Sequence, residues 1–187
     1  MNRQDVQAVL NELVKSEALK RHLTAVSAAM RYYAHKYGAD EEEWELVGWL
    51  HDCDWDLVGE SKEHPLRGAQ ILKEHGFPDH VVHAVLSHGD DTGVSRKTQM
   101  EKALFAVDEL TGFVIAVALV RPSKSLSDLE PSSVKKKMKD KAFAKAVKRE
   151  DLARGAEGLG ISLDEHIANV IEGLKPVAAH LGLSAGV

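Results

Sequence analysis

The stretch Ala103–Val120 constrains this chain more than any other. It is 18 residues long and almost wholly apolar, yet it carries Asp108 and Glu109. Asp108 follows Leu104 at i+4 and precedes Thr111 and Ile115 at i+3 and i+7. On a helix that places a carboxylate on the most apolar face of the most apolar segment. A segment of this kind is either a membrane span or the central helix of a core. The two acidic residues and Gly112 favour a core helix, expected over 98–120. A helix buried all round needs other helices to cover it.

The rest of the chain reads as those helices. Val6, Val9, Leu10, Leu13 and Val14 recur at helical spacing. A second helix is expected over 17–37 with Leu19, Leu23, Val26, Met30 and Tyr33 inward, closed by Gly38. Asp40 and Glu43 make a capping-box pattern for a third, through Trp44, Val47 and Leu50. The run His51-Asp52-Cys53-Asp54-Trp55-Asp56 sits at its end. Pro65 opens a fourth helix, closed at Gly76, and Pro78 a fifth carrying Val81, Val85 and His88. Residues 89–95 read as polar loop. Beyond the stop at Arg121-Pro122, residues 123–133 read as loop and 134–148 as a basic helix. Ser162 and Glu165 cap a last helix through Ile167, Val170, Ile171, Leu174 and Leu181, with a kink at Pro176. No segment alternates like a strand, so the expected fold class is all-α.

With 187 residues the chain is expected to form one domain. The net charge of −5 argues against bulk nucleic-acid binding but leaves room for a local basic patch. The single cysteine, Cys53, excludes a disulfide framework and a CxxC zinc site, and is read as packing. The opening residues MNRQDVQAVLNELV are amphipathic and acid-containing, unlike a signal peptide, so a reducing cytoplasm is the expected location. One anomaly stands out: 10 histidines against 3 tyrosines and 4 phenylalanines.

Helical phase sorts those histidines. His22 lies three residues after Leu19 and four before Val26, so it points inward. His51 follows Val47 at i+4, and His88 follows Val85 at i+3 and Val81 at i+7. His35 and His83 fall on other faces. His75, His80, His166 and His180 are expected mostly at the surface. An unpaired buried carboxylate is costly. His22, His51, Asp52, His88 and Asp108 satisfy one another if they share a divalent metal. Imidazole with carboxylate suits iron, manganese, zinc or nickel rather than calcium.

The ordered series Arg21-His22, Leu50-His51-Asp52 and Ala106-Val107-Asp108-Glu109-Leu110-Thr111-Gly112 resembles the HD-domain metal-dependent phosphohydrolase superfamily. The segments HPLRGAQIL (64–72) and AVLSHGDD (84–91) look like two further ligand segments of its binuclear members. The resemblance covers about residues 15–120, leaving 121–187 as a basic loop with C-terminal helices. It implies an HD-type helical bundle with one or two divalent ions. His22, His51, Asp52 and Asp108 would hold the first, and Asp52 would bridge to a second on His64 and His88. Many members carry HD-x-Gly-Lys, whose Lys reaches phosphate. Here Asp54 stands in the Gly place, and Trp55 follows where the Lys would be.

The resemblance implies a phosphohydrolase acting on a nucleotide or another small phosphorylated metabolite. A bound metal turns water into a nucleophile near neutral pH. Asp52 and Asp54 are the expected catalytic carboxylates, with Asp54 a proton relay or a surface carboxylate in a turn. Arg121 and Lys124, following the core helix, and Lys62 beside His64 are the candidate phosphate-binding cations, with Arg67 weaker. The basic run Lys135–Lys141 either folds over the pocket or lies on a solvated face. Two other readings share the ligands: a di-iron oxygenase, and a non-catalytic metal-containing binding or regulatory module. No membrane association is expected, and nothing in the spacing sets an oligomeric state.

Overall fold

The computed structural model describes residues 1–184. It is helical throughout, with no strand among the described residues. Helix α1 spans Arg3–Leu13 behind a reciprocal capping box of Asn2 and Asp5. Helix α2 spans Glu17–Tyr37. The Ser16 hydroxyl accepts the Leu19 N–H at its start, and Gly38 closes it in the left-handed region at φ 64°. Helix α3 spans Glu41–Leu50 behind Asp40. Helices α5, Leu66–Glu74, and α6, Asp79–His88, follow the two prolines.

Helix α7, Gln99–Leu119, is the central element. Thr98 and Glu101 cap it reciprocally, and Ala103, Leu104, Val107, Leu110, Phe113 and Val114 are all fully buried. Helices α2, α9 (Arg149–Leu159) and α10 (Leu163–Leu174) pack along it, and α2 packs along α3. Among the described residues no helix is long and apolar enough to cross a membrane. The α2–α3 contact is unusually close. A Cβ on Gly48 would lie 2.6 Å from the Ser27 Cα, so only glycine lets these backbones approach.

Three stretches depart from the sequence reading. The expected basic helix over 134–148 is only Pro131–Met138, here α8. Residues 139–147 form turns, and the Arg149 guanidinium donates to the carbonyls of Met138, Asp140, Phe143, Ala144 and Val147. One arginine thus takes the carbonyls that a continued helix would have bonded internally. Second, a helix α9 (Arg149–Leu159) stands where none was expected, and a four-residue α4 (Trp55–Val58) follows the His-Asp run. Third, the last helix is not kinked at Pro176. Helix α10 stops at Leu174 and the chain continues as a 3₁₀ turn, Lys175–Leu181.

Candidate metal centre

Five helices deliver six side chains to one point. His22 comes from the second turn of α2, and Asp108 from the middle of α7. His51 and Asp52 leave the end of α3, His64 precedes α5, and His88 is the last residue of α6. His22 Nε2 lies 3.1 Å from His51 Nε2, 3.1 Å from Asp108 Oδ1 and 3.4 Å from Asp52 Oδ2. On the other side of Asp52, its Oδ1 lies 3.3 Å from His64 Nε2 and 3.2 Å from His88 Nε2, with those two nitrogens 3.3 Å apart. Two ligand groups result, His22/His51/Asp52/Asp108 and Asp52/His64/His88, and they share Asp52.

The remote ring nitrogens show which way the imidazole lone pairs face. His51 Nδ1 is 2.8 Å from the Gly48 carbonyl, His88 Nδ1 contacts the Val85 carbonyl, and His64 Nδ1 is 2.8 Å from Asp54 Oδ1. A carbonyl oxygen only accepts, so Nδ1 of His51 and His88 carries the proton, and His64 donates likewise to its carboxylate. With Nδ1 spent on these outer partners, Nε2 of each of the three rings faces inward, toward the Asp52 and Asp108 carboxylates. Ring nitrogens and carboxylate oxygens thus crowd a single point. They match a cation, and mixed imidazole–carboxylate donors suit a transition ion.

The electrostatics agree. Burial opposes a charged His22, yet the Asp108 and Asp52 carboxylates outweigh it and push its pKa up to about 10. Burial also works against ionised Asp52 and Asp108, but the surrounding imidazoles hold both below the usual carboxylate range. The site thus keeps both carboxylates charged and draws in positive charge.

Asp54 does not lie at the surface as one reading held. It is fully buried. One oxygen faces His64, and the other accepts the Gly68 N–H at 2.7 Å. A Cβ on Gly68 would sit 3.0 Å from the Asp54 Cγ, so glycine is what admits the carboxylate there. With both oxygens engaged, Asp54 orients the His64 ring rather than opening onto the cavity as a relay.

The centre opens into a cavity of about 630 Å³. Asp56, Glu60, Asp90, Asp91 and Glu109 stand round it beside the ligands, with one lysine, Lys148. Arg121, Lys124 and Lys62 do not line it. Arg121 sits thirteen residues along from Asp108, about 20 Å away at the helical rise. It is held by Asp128 at 2.7 Å and Ser133 at 3.4 Å. In the Lys135–Lys141 run, Lys135 pairs with Asp164 on α10. Lys148 was missed because its approach depends on the turns at 139–147, which leave no periodic mark.

His166 also departs from expectation. It is fully buried, not at the surface. The Tyr33 hydroxyl lies 2.6 Å from its Nδ1, and its Nε2–H donates to the Ala106 carbonyl at 2.9 Å. Burial lowers its pKa to about 4, so it is a neutral strut between α2, α7 and α10. His35, His75, His80 and His180 are exposed, and His83, partly buried, faces Glu101 at 2.8 Å.

An architecture of packed helices around a His…His-Asp…Asp constellation defines a class, and a family model confirms it. The HD domain model matches residues 19–113, just over half of the chain, and the protein belongs to that family. Ribonuclease Y of Oleidesulfovibrio alaskensis is 29% identical over 101 residues, covering 52% of this chain and 18% of that protein. Ribonuclease Y of Nitratidesulfovibrio vulgaris, in strains DP4 and Hildenborough, is 27% identical over 148 residues, covering 77% of this chain and 24% of that protein. The chain thus spans about a quarter or less of the length of these relatives. No solved structure matches it.

Proposed function

We propose that the protein is a metal-dependent phosphohydrolase that cleaves a phosphate ester or anhydride of a nucleotide or other small phosphorylated metabolite. The observation that carries the reading is the pair of ligand groups sharing Asp52 at the floor of an open cavity. His22, His51, Asp52 and Asp108 would hold one ion, and Asp52, His64 and His88 a second. Divalent ions held there would supply an acidified water and polarise the phosphoryl oxygens. The chain's own residues do the rest. Asp54 and the carbonyls of Gly48 and Val85 fix the imidazole tautomers, as partners behind metal-binding histidines do. Lys148 makes no ion pair among the described residues and is free to take a nonbridging phosphate oxygen. That role replaces the one expected of Arg121. The matched relatives are named as ribonucleases, which is consistent with phosphodiester chemistry at such a centre.

The test is hydrolysis of 4-nitrophenyl phosphate and bis(4-nitrophenyl) phosphate by protein loaded with Mn²⁺ or, without oxygen, Fe²⁺. Wild type releases 4-nitrophenol with at least one of them, and Asp52→Asn does not. Loaded protein inert on both, and on a panel of nucleotides, overturns the assignment. Lys148→Ala is expected to raise KM by ~10-fold while leaving metal content as in wild type, the effect of one lost charge-assisted contact.

A further inference from the structure

We infer that the cavity next to the metal centre is a second anion subsite, so that the substrate class is a molecule bearing at least two phosphate groups. This inference rests on the phosphohydrolase reading and goes beyond it. The second cavity, about 370 Å³, is lined by Arg96, Lys102, Phe105 and Arg154 together with Asp90 and Glu157. Asp90 also lines the metal cavity, so the two spaces meet at one side chain. Phe105 lies one turn before Asp108 on α7, about 5 Å along the axis at the helical rise. A substrate whose reacting phosphate sits over Asp52 therefore passes Asp90 to reach the second cavity.

The cations there are pre-set. The Arg96 guanidinium stacks on Phe105 with Cζ 3.7 Å from the ring centroid, and Arg154 approaches the same ring at 5.1 Å. Arg96 donates to the Ser87 carbonyl at 2.8 Å and to Asp90 at 2.5 Å. Arg154 reaches both Asp90 oxygens, at 2.9 and 2.7 Å, and Asp151 at 3.1 Å. Anchoring of this kind removes much of the entropy cost of ordering an arginine on a ligand. The carboxylates nearby largely balance the two guanidiniums. Lys102 is different: it is half-buried in the lining and makes no ion pair among the described residues. Its ammonium leaves three donors unspent, beside planar guanidiniums on which a base can stack. In a chain of net charge −5, with a metal cavity rimmed by carboxylates, this is a local gathering of cations and an aromatic ring suited to a distal phosphate.

Two sources share that chemistry, a nucleoside polyphosphate and a short oligonucleotide, and the test has an arm for each. The specificity constant is measured for a nucleoside triphosphate and for a 5′-phosphorylated dinucleotide, each divided by that for 4-nitrophenyl phosphate. Lys102→Met keeps the alkyl stem and is expected to lower this ratio ~10-fold or more with at least one of the two. A ratio unmoved for both overturns the inference. A second arm needs no turnover: tripolyphosphate is titrated into chelator-treated protein by calorimetry. Wild type binds it, and Lys102→Met and Arg154→Ala weaken that binding ~10-fold or more. Equal binding by wild type and Lys102→Met also overturns the inference. An enzyme inert on every ester would sink the phosphohydrolase reading alone, because the calorimetric arm still decides the subsite.

Discussion

At the residue scale, the centre depends on who holds the ligands as much as on the ligands. Asp54 shows this, since it touches His64 through one oxygen and Gly68 through the other. Asp54→Asn presents an amide group to one of those two N–H donors and loses that bond. The expected outcome is a second-ion affinity ~10–100-fold weaker, with the first ion retained, because His64 serves only the second group. Metal titration followed by elemental analysis reads both, and equal loss of the two ions would contradict the assignment. His166 makes a different prediction. Its folded pKa of about 4 lies below the ordinary 6.5, so between those values the unfolded chain binds a proton that the folded chain does not. Stability from this group is present above pH 6.5 and declines as the pH falls toward 4. The decline amounts to about 2 kcal/mol at pH 5. His166→Gln lacks it, so the stability gap between wild type and variant should shrink on acidification. Urea melts at pH 7.5 and pH 5 check this, and a gap independent of pH would refute it.

At the element scale, two helices carry the first ligand group and one glycine sets their separation. His22 rides on α2, and His51 follows α3 at its C-terminal end; Gly48 lets the two backbones touch at Ser27. A Cβ at Gly48 meets backbone, which cannot swing aside. Gly48→Ala should therefore cost about 1–3 kcal/mol, or ~2–4 °C of Tm per kcal/mol for a domain of this size. It should also weaken the metal, because the 3.1 Å spacing of His22 and His51 depends on that contact. Gly158→Ala is the control. Nothing lies within 4 Å of its Cβ position in α9, and the change should stabilise by about 0.5–1 kcal/mol. Thermal melts of both, with metal titration, separate the two effects.

For the whole molecule, the ion and the fold are linked through ligands drawn from α2, α6, α7 and the segments after α3 and before α5. An unfolded chain cannot gather them. Any ion bound only by the folded state adds stability of ~2.7 kcal/mol at a free concentration one hundred times its Kd. Wild-type protein should melt higher in Mn²⁺ than in chelator, and Asp52→Asn should show no such increment, since it serves both ligand groups. A melting temperature indifferent to metal in wild type would rule out the centre as drawn.

Much of this was legible before the structure. Helix caps at Asp40 and Ser162, the inward faces of α2 and α7, and a carboxylate stranded on an apolar stripe are all set by residues three and four apart. Such near neighbours leave a periodic trace in sequence. The six clustered side chains could be named because each lay on such a stripe or in a segment resembling a known family. What tertiary structure alone decided involves partners far apart in the chain. Asp54 is buried because Gly68 leaves room for it, and His166 because Tyr33 and Ala106 take both its nitrogens. The Arg149 guanidinium, by collecting five carbonyls, turns an expected helix into the turns that precede Lys148. Arg121 leaves the site because α7 continues about 20 Å beyond Asp108. Periodicity reports which face of a helix is inward, but not which distant side chain waits there. That pairing is fixed only when the helices pack.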